Sequence, residues 1–151
     1  MEYSGTYALV LVLHLLTVAF LVGPSAVAGL ASARHARAGD AAALRTASRT
    51  TRICAQGTLL TVLLGFAMLG LGPVGEQWEI GQLWVLASLA LWFVAMALTL
   101  GLVVPAQVQA AESVEGSGDG AAQAGRIAAG SGLALLAWTA VVVLMVLKPG
   151  A

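Results

Sequence analysis

Apolar positions in this chain neither alternate nor form narrow stripes. They come in four long runs separated by shorter polar stretches. The first run, Tyr7 to Leu30, is almost unbroken and carries one imidazole, His14. At 1.5 Å per residue it reaches about 36 Å, enough to cross a hydrocarbon core of roughly 30 Å. Three similar runs cover about 53–71, 82–104 and 127–147, and none of them holds an ionisable side chain. The pattern predicts an all-α fold, a four-helix transmembrane bundle in up-down order making one membrane domain. Pro24 should kink the inner half of helix 1, because it removes a backbone donor. Gly72-Pro73 should end helix 2, and Pro105 should stop helix 3.

The stretches 31–52 and 105–126 read as loops. In the first, Gly39-Asp40 looks like a helix stop followed by an N-cap, and Ala41 to Arg52 has good helix formers. The second contains EGSGDGAAQAG and reads as a flexible linker. The short loop between helices 2 and 3 carries Glu76, Trp78 and Glu79, and Trp78 and Trp84 sit where an aromatic belt would be.

Composition strengthens the membrane reading. The chain is 60% hydrophobic and 9% charged with a mean hydropathy of +0.93, whereas a soluble domain carries about 25% charged residues. Net charge is zero, which gives no reason to expect nucleic acid. The single cysteine, Cys54, excludes an internal disulfide and any multi-cysteine metal site. Arg34, Arg37, Arg45, Arg49 and Arg52 crowd one loop and Arg126 joins them, against Lys148 on the other side. Both termini are therefore expected to be extracytoplasmic and both longer loops cytoplasmic. Leu9 to Val22 followed by Ala26-Val27-Ala28 imitates a cleavable signal peptide, but the n-region lacks Lys and Arg, so the run is read as a retained helix. Arg45, Arg49 and Arg52 share one helical face, which suits anionic lipid headgroups or a solvated positive-inside loop.

Gly57, Thr61 and Gly65 recur every four residues in helix 2 and make a groove for close helix approach. Helix 4 opens with the small-residue run AAGSG, and these two faces would serve self-association or a membrane partner. A weak internal echo is also visible. Leu21-Val22-Gly23-Pro24 matches Leu102-Val103-Val104-Pro105, and Arg52-Ile53-Cys54-Ala55 matches Arg126-Ile127-Ala128-Ala129. Such a parallel repeat would relate two hairpins about an axis along the membrane normal. In the first spacing the counterpart of His14 is Ala95.

His14 falls on the stripe Tyr7, Val10, His14, Thr17, Leu21, Ser25, the polar side of an otherwise apolar helix, which should face the bundle interior. An intramembrane ionisable group defaults to a functional reading. A neutral imidazole is also satisfied by one hydrogen bond, to Thr17, Thr61, Ser88 or a carbonyl, so packing and ligation both stand open. As a ligand, a single histidine nitrogen suits haem iron. His14 with Met68 and Met145 would suit copper(I), and methionine at such spacing also fills cores. Trp92 and Trp138 lie mid-helix, where they would flank a planar ligand or fill the space left by small residues. No nucleotide loop, zinc motif, nucleophile elbow or buried carboxylate pair is present, so no enzyme is expected.

With LVLHLLTVAFLVGP in helix 1 and LASLALWFVAMALTLGLVVPAQ in helix 3, the chain resembles a bacterial family of predicted four-helix integral membrane proteins of unknown function. More distantly it is similar to the copper-resistance D membrane domain and to the HemJ-type protoporphyrinogen oxidases. Those families place a histidine early in the first helix, and in the HemJ type it is associated with haem. The resemblance implies such a role for His14 alone, and because helix 3 here lacks the intramembrane lysine of the HemJ type it does not extend to the oxidase activity. Three functions follow as expectations: an accessory or interaction subunit, a haem-binding or redox-linked protein, and a small copper-related permease.

Overall fold

The computed structural model describes residues 5–71 and 79–149, and among them it is entirely α-helical with connecting turns. Four long helices form the bundle: α1 (Gly5–Ala38), α2 (Ala41–Leu71), α3 (Leu83–Ser117) and α4 (Ala121–Leu147). Gly72-Pro73, the expected end of helix 2, lies outside the described residues, as do Glu76 and Trp78. With 34, 31 and 35 residues, α1, α2 and α3 reach roughly 47–53 Å, well beyond a bilayer core. The excess is the part read from sequence as loops. Residues 31–38, 41–52, 104–117 and 121–126 are helical, and they build a helical crown at one end of the bundle. Arginines end contact with hydrocarbon, but they are good helix formers and do not end the backbone ladder.

What ends the helices at the crown is local chemistry. Gly39 takes φ 67°, its N–H donates to the Ala36 carbonyl, and Asp40 N–H donates to the His35 carbonyl at 3.0 Å, a glycine-terminated helix end. Asp40 then caps α2, its Oδ1 accepting from Ala43 N–H at 2.9 Å. The same device joins α3 to α4. Gly118 takes φ 78°, and Asp119 Oδ1 accepts from Ala121 N–H at 2.8 Å. The tract expected to be a flexible linker is thus mostly helical, with a turn of only three residues, Gly118 to Gly120, joining two helices.

Neither proline stops its helix. Val18–Val22 and Thr99–Val103 are π turns, each ending just before a proline at the second position of the next α segment. Val104 N–H bonds the Thr99 carbonyl, so the ladder widens by one residue before the ring of Pro105 would collide with it. Both π turns recur in the register that pairs Pro24 with Pro105. The echo of Arg52-Ile53 with Arg126-Ile127 is not matched in burial, since Ile53 is exposed and Ile127 fully buried.

Helix α1 packs on α2 and α4, and α3 packs on the same two, which closes a ring. Leu9, Phe20, Leu63, Phe93 and Leu136 point outward, as lipid-facing positions do. Inside, the crown half holds mostly alanine, with Ala33, Ala36, Ala106, Ala110, Ala111 and Ala124 around Leu44 and Ile127. The other half is bulkier, with Trp138 against Ala95 and Ala137, and Val22, Trp92 and Met96 beside them. Gly120 marks the tightest point of the crown. A Cβ there would meet Val114 Cγ2 at 2.8 Å and the backbone oxygens of Ala110 and Ala36 at 3.1 Å. Gly120→Ala should therefore lower the thermal midpoint in detergent, by a destabilisation of about 1–3 kcal/mol, whereas Gly116→Ala, at an open position, should leave it within error.

Candidate functional site

The polar stripe of α1 lies on the small-residue groove of α2, one residue per step. At Gly57 a Cβ would meet the Leu21 side chain at 3.0 Å, so Leu21 occupies that space. One turn on, Thr61 Oγ1 donates to Thr17 Oγ1 at 2.9 Å, and Thr17 Oγ1 donates to the His14 carbonyl at 2.7 Å. At the far step the His14 ring sits over Gly65, where a Cβ would lie 3.4 Å from its Cε1. The groove that suggested an outward face for self-association is filled by the protein's own first helix.

His14 Nδ1 lies 3.0 Å from the Thr61 carbonyl oxygen. A carbonyl only accepts, so Nδ1 carries the proton and donates, and the lone pair is left on Nε2. No described residue hydrogen-bonds Nε2, and the ring is half-buried. A carbonyl-anchored Nδ1–H is the arrangement that orients a histidine whose other nitrogen binds a metal. It also satisfies a histidine that only packs.

The other candidates are placed as follows. Trp92 Nε1 donates to Thr58 Oγ1 at 3.1 Å, Thr58 donates to the Ala55 carbonyl, and Met96 Sδ lies 3.5 Å from the same hydroxyl. Trp92 and Trp138 belong to one packed cluster with Met96. Met68 and Met145 are half-buried. Among the described residues no group of three or more His, Cys, Asp and Glu could hold a metal. Cys54 is a half-buried free thiol. Trp84 is 4% exposed with its indole N–H on Gln82 Oε1, so it packs inward rather than forming an outer belt. In the crown, Arg45 makes a two-point ion pair with Glu115 of α3, Nε to Oε1 at 2.7 Å, so its guanidinium ties α2 to α3. Arg49 and Arg52 remain exposed.

Sequence reasoning passed over Thr58 and Gln107. Thr58 shares a helical face with Thr51 and Thr61, a polar spacing legible in an apolar span. Gln107 is fully buried and donates to Ser32 Oγ at 2.8 Å and Thr51 Oγ1 at 3.3 Å, pinning α3 to α1 and α2. Thr61→Val should remove the Thr17 hydrogen bond while keeping the volume. The expected loss is about 0.6 kcal/mol, read as a small fall in thermal midpoint. Thr46→Val, an exposed control in the crown, should not reproduce it.

No curated protein and no solved structure matches the chain. The sequence model of a family described as predicted integral membrane proteins, DUF2269, matches residues 8–149. Four apolar spans, the helical bundle and a match across nearly the whole chain agree. This chain belongs to the DUF2269 family of predicted integral membrane proteins.

Proposed function

We propose that the protein is a non-enzymatic subunit of a bacterial inner membrane whose working group is His14, presented through Nε2 as an axial ligand to haem. One observation carries this reading: Nδ1–H is committed to the Thr61 carbonyl, which orients the ring and leaves a single coordinating nitrogen. The groove under the ring, made by Gly65, holds the imidazole against α2 with little freedom to turn. The arginine distribution supports a crown that faces the cytoplasm. The chain has one histidine in its apolar spans, so a second axial ligand would come from elsewhere.

A second reading, an accessory bundle that binds no ligand, is favoured by the way Trp92 and Trp138 pack with Met96 around Thr58 and Ala95. In that case His14 serves as a pin between α1 and α2, and the partner docks elsewhere on the surface.

A visible absorption spectrum separates the two. Protein purified in detergent from haem-replete cells should show a Soret band that shifts on reduction. The band should be lost in His14→Ala with far-ultraviolet helicity retained. A colourless wild type, before and after added haem, overturns the haem reading. His14→Ala would then lower only the thermal midpoint.

A further inference from the structure

We propose that one water molecule is built into the bundle, in a partly open cavity lined by all four helices, hydrogen-bonded to hydroxyls from more than one helix. The cavity has a volume of about 10 Å³, at the lower edge of the roughly 10–15 Å³ that a single water needs. Its wall brings together Ser25 and Gly29 of α1, Thr51 of α2, Thr99 of α3, and Ser131 and Trp138 of α4. It lies beside both prolines, because Thr99 opens the π turn before Pro105 and Ser25 follows Pro24.

The second observation is an orphan. Ser131 is 6% exposed, and its Oγ has no hydrogen-bond partner among the described residues. A serine in a helix ordinarily donates back to its own preceding turn, as Thr99 does to the Ala95 carbonyl at 2.7 Å. Ser131 instead reaches toward α1, where a Cβ on Gly29 would stand 2.9 Å from its Oγ. Only glycine leaves that line open.

Hydrogen-bond bookkeeping identifies the occupant. Thr51 Oγ1 accepts from Gln107 Nε2 and keeps its own proton to give. Thr99 Oγ1 has given its proton to Ala95 and keeps lone pairs. Ser131 can do either. A water that accepts from Thr51 and bonds Thr99 and Ser131 makes about the three hydrogen bonds usual for a buried one. The wall carries no carboxylate, so it offers a cation no compensating charge, and the volume suits a single water. The water lets four helices close over a hydroxyl that would otherwise stand unsatisfied in an apolar interior.

The sign of one substitution tests this. In a dry cavity Ser131→Ala deletes an orphan hydroxyl and raises the thermal midpoint. With the water present it removes one of that water's partners, and the midpoint should fall by roughly 2–6 °C. A rise or no change overturns the proposal. X-ray radiolytic labelling of the folded protein in detergent gives a measurement that does not depend on unfolding. Radicals formed from a bound water oxidise the adjacent Trp138, which is 8% exposed. The expected result is a several-fold lower Trp138 labelling rate in Ser131→Val, whose extra methyl fills the space, than in wild type. Equal rates overturn the proposal.

Discussion

A helix that runs through hydrocarbon has nowhere to place an unbonded backbone group except inside its own ladder or against a neighbour. Pro24 and Pro105 each remove one donor from such a ladder, and the architecture is arranged around those two losses. In both helices the chain widens into a π turn just before the ring, so the ladder passes the proline without a clash. On the crown side of these turns the core is mostly alanine, which lets backbones come close. On the other side Trp92 and Trp138 fill the space between the helices.

Polar side chains then fill the places where helices meet. Thr17 with Thr61, Gln107 with Ser32 and Thr51, and Trp92 with Thr58 each join two or three helices through uncharged groups. None brings a formal charge into the bundle, so no Born-type penalty has to be offset. Each hydrogen bond contributes modestly, but an unmade one in this setting would be expensive. The Arg45–Glu115 pair stays in the crown, where both side chains are about half exposed and solvent screens them.

The four spans were legible because length and apolarity alone decide them. So was the Gly39-Asp40 stop and cap, since a left-handed glycine followed by a capping aspartate is a local event. The α1 stripe and the α2 groove were legible separately, by helical spacing, but not that they belong to one another. Helix ends were misplaced for a physical reason: hydropathy reports where lipid ends, and these helices continue beyond it. EGSGDGAAQAG misled because composition suggested flexibility while Gly118 and Asp119 do the same local work as Gly39 and Asp40. The π turns had no composition of their own. Trp92 could not be assigned from sequence, because its partner Thr58 is distant in the chain and adjacent only after packing. For His14, spacing predicted an inward polar stripe, and the carbonyl that fixes its tautomer came only with the structure.

The two hairpins share a π turn before the proline and a glycine turn at the crown, so their differences show what the scaffold does not require. In the register that pairs Pro24 with Pro105, His14 falls opposite Ala95 and Thr17 opposite Leu98. Ala95 packs against Ala137 and Trp138 as a small apolar residue, whereas His14 and Thr17 reach Thr61 through hydrogen bonds. A position that alanine fills in one hairpin does not require an imidazole for packing in the other. That difference is the physical reason to test His14 first.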